Sequence, residues 1–115
     1  MKIEKDSIIP FDFDGLQIVD YTAATNGLSS FAEITVFPGV SHRKAYSKRS
    51  DKYYYVVSGH VEFVVEDRVN NLAAGDVCVI PKGQRFLYRN TSEEKAKLVL
   101  VHTPSFDLES EVFEE

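Results

Sequence analysis

The sequence has a single cysteine, Cys78, in 115 residues, and no tryptophan. One cysteine cannot close an internal disulfide, which excludes a disulfide-stapled secreted fold and fits a reducing compartment. No apolar run approaches the roughly 20 residues that a membrane helix needs. The opening residues, Met1-Lys2-Ile3-Glu4-Lys5-Asp6, lack the apolar core of a signal peptide. A cytoplasmic location with no membrane partner is therefore expected. Positive charge is also scarce: 13 Lys and Arg face 18 Asp and Glu, for a formal net charge of -5. That balance excludes a dedicated nucleic-acid binder, whose affinity comes mostly from neutralising phosphates.

Helical periodicity is missing over any window long enough to bury a helix face. Strand signals take its place. Runs rich in Val, Ile, Tyr and Phe occur at Leu16–Tyr21, Phe31–Phe37, Tyr53–Val57, Val61–Val65, Val77–Ile80 and Leu98–Val101. Turn-forming pairs lie between them: Asp14-Gly15, Asn26-Gly27, Pro38-Gly39, Ser58-Gly59, Asn70-Asn71, Gly75-Asp76 and Lys82-Gly83. Many short strands at regular spacing predict a β-sandwich or a small closed barrel. Only Ser105–Phe113 suits a helical turn or two, with Ser105 as its N-cap. The length suits one domain.

Two spacings are more specific. Gly39-x5-Ala45-x-Ser47-x4-Lys52-x6-Gly59 is followed by Gly75-x5-Pro81-x4-Phe86-x3-Asn90. They resemble the paired motifs of the cupin superfamily, G-x5-H-x-H-x3,4-E-x6-G and G-x5-P-x4-H-x3-N. The texture agrees: Tyr54-Tyr55-Val56-Val57-Ser58-Gly59 is similar to the family's YYVLEG, and the Gly75–Gly83 stretch to its GDVVLIPPG. The resemblance implies an all-β fold, the double-stranded β-helix or jelly-roll barrel. Residues 31–104 would form the barrel core, residues 1–30 N-terminal strands packing on it, and residues 105–115 an acidic C-terminal tail.

In typical cupins the two His and the Glu of the first motif, with the His of the second, hold one divalent metal. The matching positions here are Ala45, Ser47, Lys52 and Phe86. Ala and Phe have no donor atom, Lys is cationic, and Ser alone is a weak ligand. The sequence therefore predicts no metal and no cofactor.

Side chains alternate along a strand, so Lys52, Tyr54 and Val56 share one face, and the resemblance implies that this face is the interior, because position 52 matches an inward ligand position of the family. The same rule turns Gln84, Phe86 and Tyr88 inward. With Ser47, and with His102 if Leu98 and Leu100 face inward, they give a candidate ligand-binding wall of mixed aromatic and polar character. Lys52 puts an ammonium where other members hold a cation. It would grip a ligand oxygen, or act as a base or nucleophile, unless it pairs with an internal carboxylate such as Glu33. Lys52, Tyr54, Tyr88 and His102 are the candidate catalytic groups. His42 and His60 are read as surface or partly buried hydrogen-bonding residues, and Cys78 as a small buried hydrophobe.

Basic residues cluster at Arg43, Lys44, Lys48, Arg49 and Lys52, while the tail carries Asp107, Glu109, Glu111, Glu114 and Glu115. These are solvated segments, an attractor for anionic ligands at the barrel mouth, or a tail of one subunit docking on the basic loop of another. Tyr53, Tyr55 and Val57 should point outward, against Ile8, Ile9, Phe11 and Phe13 of the N-terminal segment or against a second copy in a homodimer. The expected function is metal-independent binding of a small anionic or sugar-like molecule. The alternatives are a metal-independent isomerase, epimerase or lyase acting next to a carbonyl, and a structural or regulatory barrel with a filled interior.

Overall fold

The computed structural model describes residues 1–114, and strands dominate it. They run β1 (Phe11–Phe13), β2 (Leu16–Asp20), β3 (Ser30–Val36), β4 (Ser41–Ser47), β5 (Asp51–Ser58), β6 (His60–Val65), β7 (Arg68–Ala73), β8 (Val77–Ile80), β9 (Phe86–Arg89), β10 (Ala96–Thr103) and β11 (Glu111–Phe113). Two antiparallel sheets, β1-β2-β3-β10-β5-β8 and β11-β4-β9-β6-β7, close into the jelly-roll barrel that the motif spacing implied. Among the described residues, no helix is long and apolar enough to cross a membrane.

Alternation builds the core. On β5, Lys52, Tyr54 and Val56 are buried while Tyr53, Tyr55 and Val57 are exposed. On β10 the buried set is Ala96, Leu98, Leu100 and His102. Facing them from the other sheet are Val61, Phe63, Phe86 and Tyr88, all nearly sealed from water. Each such aromatic or aliphatic side chain contributes about 1.5–3 kcal/mol by leaving water.

The turn glycine of the first motif has a second duty. Gly59 sits at φ +82, and a Cβ there would lie 2.8 Å from the Ala96 Cα, so the β5–β6 turn packs directly on the start of β10. Asn90 closes the second motif as its chemistry suggests: Nδ2 donates to the Val36 and Glu94 carbonyls, and Oδ1 accepts from the Ser92 amide.

Several expectations change. Asn70 and Asn71 form no turn; they lie in β7, paired with Phe63 and Glu62. The reversal falls at Glu66 and Asp67, whose φ values of 46 and 68 match the mirror-image turns that suit a twisted hairpin. The tail is not helical beyond a short 3-10 turn at Leu108–Ser110, whose preceding residue is Asp107 and not Ser105. It continues as β11, pairing Glu111 with Ser47, Val112 with Tyr46 and Phe113 with Ala45. The acidic tail thus pairs with β4 inside the basic segment of its own chain and binds Lys52 there through Glu111, while Glu114 binds Arg85 outside that segment. The N-terminal strands do not cover Tyr53 and Tyr55, because β1 and β2 join the sheet at the edge away from β5. Ile9 and Phe11 stay exposed, while Phe13 packs against the core.

Candidate functional site

Between the sheets lies a cavity of about 380 Å³. Phe13, Ile18, Ile34, Leu100, Phe106, Leu108 and Phe113 supply its apolar wall; His42, Lys52, Tyr54, Tyr88, His102 and Glu111 supply the polar one, with Asp20 and Ser30 also on the lining. The strands fix these positions. His102 on β10 stands opposite Lys52 on β5 and Ser30 on β3, and Leu100 stands opposite Tyr54.

Lys52 does not meet Glu33. Glu33 is on the outer face of β3, where Lys5 holds it at 3.0 Å and Lys97 at 3.6 Å. Lys52 Nζ instead reaches Glu111 Oε1 on β11 at 2.5 Å, with both side chains about as hidden as core residues (4% and 3% exposed). The same ammonium sits 4.7 Å above the Phe86 ring. Burial pulls the lysine below its ordinary pKa, and the Glu111 carboxylate opposes that pull. The vacated ligand position is thus filled by a charge already neutralised from within.

His42 is the residue that strand alternation hides. Ala45 and Ser47 face inward, so a regular β4 would turn position 42 outward. The β4–β9 register shifts between His42 and Ala45, and the irregularity swings the imidazole into the interior, 8% exposed. There it lies among Phe86 and Tyr88, with ring centroids at 5.2 and 5.1 Å, and Phe13 at 5.7 Å. Its Nδ1 is 2.6 Å from the Arg43 carbonyl oxygen. A carbonyl only accepts, so Nδ1 carries the proton and Nε2 keeps its lone pair. Burial drops the His42 pKa to about 4, which keeps the ring neutral near physiological pH.

His102 is buried as the β10 alternation anticipated, edge-on to Phe106 at 5.3 Å. Burial first, and then the nearby Lys52 charge, bring its pKa to about 3. Tyr54 and Tyr88 are fully buried with ring centroids 5.3 Å apart, and burial raises both phenols above their ordinary value. Among the described residues, three buried side-chain atoms have no hydrogen-bond partner: Tyr88 Oη, His102 Nε2 and Glu111 Oε2. All three residues line the same cavity.

Other positions expected on this wall lie elsewhere. Ser47 is buried, but its Oγ accepts from the Arg49 and Ser50 amides at 3.1 and 2.9 Å and caps the β4–β5 turn. Gln84 belongs to the β8–β9 turn, where its amide donates to the Pro81 carbonyl, because the chain is not yet extended there. Phe86 packs beneath Lys52 in the core and does not reach the cavity. Cys78 is core, as expected, and His60 is exposed. Glu111 was not anticipated: it arrives on a tail strand that no local motif announces.

The donor set does not fit the metal of typical cupins. Ala45 and Phe86 offer no ligand atom, the Ser47 oxygen is engaged by two amides, and Lys52 is ion-paired. Among the described residues no group of three or more His, Cys, Asp or Glu side chains is arranged to hold a metal ion.

Comparison with known proteins agrees with the barrel. A family model described as a cupin domain matches residues 32–102. The endoribonuclease YbeY of Myxococcus xanthus is 30% identical over 109 residues, covering 92% of this chain but only 36% of that protein. The chain thus spans about a third of that relative's length. Among solved structures, a nucleoside dehydratase superposes with a TM-score of 0.88 at 22% identity, covering 100% of this chain and 91% of the other. The Streptomyces form of that structure is also known with uridine, in variants of one histidine and of each of two tyrosines. A sugar phosphate isomerase of the cupin superfamily from Silicibacter pomeroyi superposes with a TM-score of 0.76 at 19% identity, covering 90% and 75% of the two chains.

Proposed function

This chain belongs to the cupin family, and from that premise we propose that its barrel binds a small sugar-like molecule, neutral or anionic, without a metal ion. One observation carries the reading: a cavity of about 380 Å³ lined by Tyr88 and His102, each of which has a buried polar atom with no partner among the described residues. A buried unpaired polar atom costs on the order of 1–3 kcal/mol, and a ligand hydroxyl recovers it. The apolar rings around these atoms suit the carbon face of a sugar or nucleoside. The structural likeness to a nucleoside dehydratase and to a sugar phosphate isomerase supports the same class of ligand.

The test is a melting-temperature screen of the purified protein against uridine, free sugars, their phosphates and keto acids, with elemental analysis alongside. Ligand at a hundredfold over its Kd stabilises by about 2.7 kcal/mol, a readily measured shift. No shift with any compound, or near-stoichiometric iron, zinc, manganese or nickel, overturns the reading.

The anchoring of His42 favours an additional catalytic reading, that of a lyase or isomerase acting next to a carbonyl. Its neutral Nε2 would take the proton from the carbon beside the carbonyl, while the Tyr88 hydroxyl donates to the developing enolate oxygen. In a lyase the imidazolium then returns that proton to a departing hydroxyl, releasing water and leaving a double bond. The cavity lining includes His42, Tyr54 and Tyr88, beside a second histidine, His102; histidine and tyrosine are the residue types varied in the uridine-bound relatives. Deuterium wash-in beside the carbonyl of a keto sugar that binds, lost in His42→Gln, supports catalysis. Binding without wash-in leaves a binding protein.

A homodimer belongs to the same proposal. Five outward positions of β5 and β8, Tyr53, Tyr55, Val57, Val77 and Val79, are uncharged and 39–54% exposed. Such a face can meet its own copy without apposing like charges. With an overall charge of -5, nucleic acid is not a partner in this reading.

A further inference from the structure

We propose that Glu111, delivered by the C-terminal strand, is the residue that selects the ligand of this cavity, taking a hydroxyl of a neutral molecule and rejecting anions. This rests on the reading that the cavity binds a sugar-like molecule, and it decides the sign of charge that reading leaves open.

The carboxylate has two faces with different fates. Oε1 is held by Lys52 Nζ at 2.5 Å, while Oε2 is buried, has no partner among the described residues, and belongs to a side chain on the cavity wall. A carboxylate oxygen only accepts. The group that satisfies Oε2 must therefore be a donor: a hydroxyl or N–H, and not a deprotonated phosphate or carboxylate oxygen. The ion pair also fixes the carboxylate's orientation, because Lys52 is locked between Glu111 and the Phe86 ring.

The charges around the cavity point the same way. Its wall holds one cation, Lys52, against two carboxylates, Glu111 and Asp20. The histidines add no positive charge near neutral pH, and they stay neutral by burial. Three members of the basic cluster are engaged away from a ligand: Arg43 binds Asp14, Arg49 donates to the Ser105 carbonyl and hydroxyl, and Lys52 is paired with Glu111. An anion entering here meets a wall of net negative charge. The site is also incomplete within residues 32–102, the span of the family match, since Glu111 lies beyond it.

Titration calorimetry with matched pairs, uridine against its 5′-monophosphate and glucose against its 6-phosphate, tests this on the full chain. The neutral member of at least one pair should bind ten times or more tighter than its phosphate. Glu111→Gln keeps an oxygen for Lys52 but turns an NH2 to the cavity, so neutral-ligand affinity should fall at least tenfold. The double variant Lys52→Gln/Glu111→Gln guards against misfolding from an unpaired buried ammonium, since replacing both partners is far milder than breaking the pair. It keeps the net charge of the wall while losing the carboxylate, and it too should lose neutral-ligand binding at least tenfold. Tighter binding of the phosphates by the wild type overturns the proposal. So does either variant binding the neutral ligand as well as the wild type does. Absence of binding by the wild type to all four probes is a separate result: it removes the cavity reading itself, and this proposal with it.

Discussion

His102 on β10 stands directly across the ladder from Lys52 on β5, and both are buried, at 5% and 3% exposure. An imidazole beside a buried ammonium is disfavoured from taking a proton both by desolvation and by like charge, and His42 is held neutral chiefly by the first of these. In the unfolded chain both rings return to about 6.5. Above that pH neither state binds these protons and the histidines do not affect stability. Below it the unfolded state binds protons that the folded state refuses, so stability falls with pH until the folded values, about 4 for His42 and about 3 for His102, are reached. Urea midpoints should therefore drop between pH 7 and pH 5, by a loss on the order of a few kcal/mol. His42→Gln should flatten part of that slope. A profile flat across this window in the wild type would show that the rings are not neutral and buried.

Removing the Tyr88 hydroxyl should separate stability from function. Its oxygen is fully buried without a partner among the described residues, while its ring stacks on Phe63 at 4.8 Å. Tyr88→Phe keeps the ring and deletes only the unsatisfied atom, so the melting temperature should hold or rise, by the equivalent of about 1 kcal/mol at most. Ligand affinity or turnover should fall in the same variant. A marked loss of stability would mean that the hydroxyl has a partner inside the protein, contrary to its place in the site.

Ser47 should behave in the opposite way. Its oxygen accepts from the amides of Arg49 and Ser50, so Ser47→Ala breaks the cap of the β4–β5 turn. The expected cost is about 1–2 kcal/mol in chemical denaturation. Binding of any cavity ligand should change less than threefold, since Ser47 does not line the cavity. A binding defect larger than the stability defect would return Ser47 to the site.

The barrel was legible because its signals are local. Glycine spacing marks the reversals, and alternation on β5 and β10 sorts Lys52, Tyr54 and His102 to the inside without any knowledge of their neighbours. The weaker strands β4, β7 and β9 were hidden by their polar outward faces, of which the Arg68–Asn71 stretch is the plainest case. His42 was misplaced because a register irregularity breaks the period of two on which alternation depends. Glu111 was missed for another reason: its pairing with Lys52 spans 59 positions and follows only from where β11 joins the sheet. Such long-range closures leave no trace in a window of sequence. The size of the cavity is equally unreadable, being space that no side chain fills.

The outer face of the six-stranded sheet offers the last prediction. Tyr53 lies beside Val79, and Tyr55 beside Val77, across the β5–β8 ladder; Val101 and Val99 continue the same two rows on β10. These outward positions form an uncharged patch ending at β8, a sheet edge with unpaired backbone groups. Two copies facing one another would cover both patches at once by two-fold symmetry. Light scattering during gel filtration should then give twice the chain mass, and Tyr53→Glu/Val79→Lys should shift it to one. Because both substitutions point away from the core, the melting temperature of the variant at low concentration should match the wild type at equal dilution. Opposite charges at these two neighbouring positions leave folding of the monomer free of like-charge repulsion. A wild type that stays monomeric at about 100 µM, where a standard-size interface should already be occupied, would leave this face without a second copy to cover it.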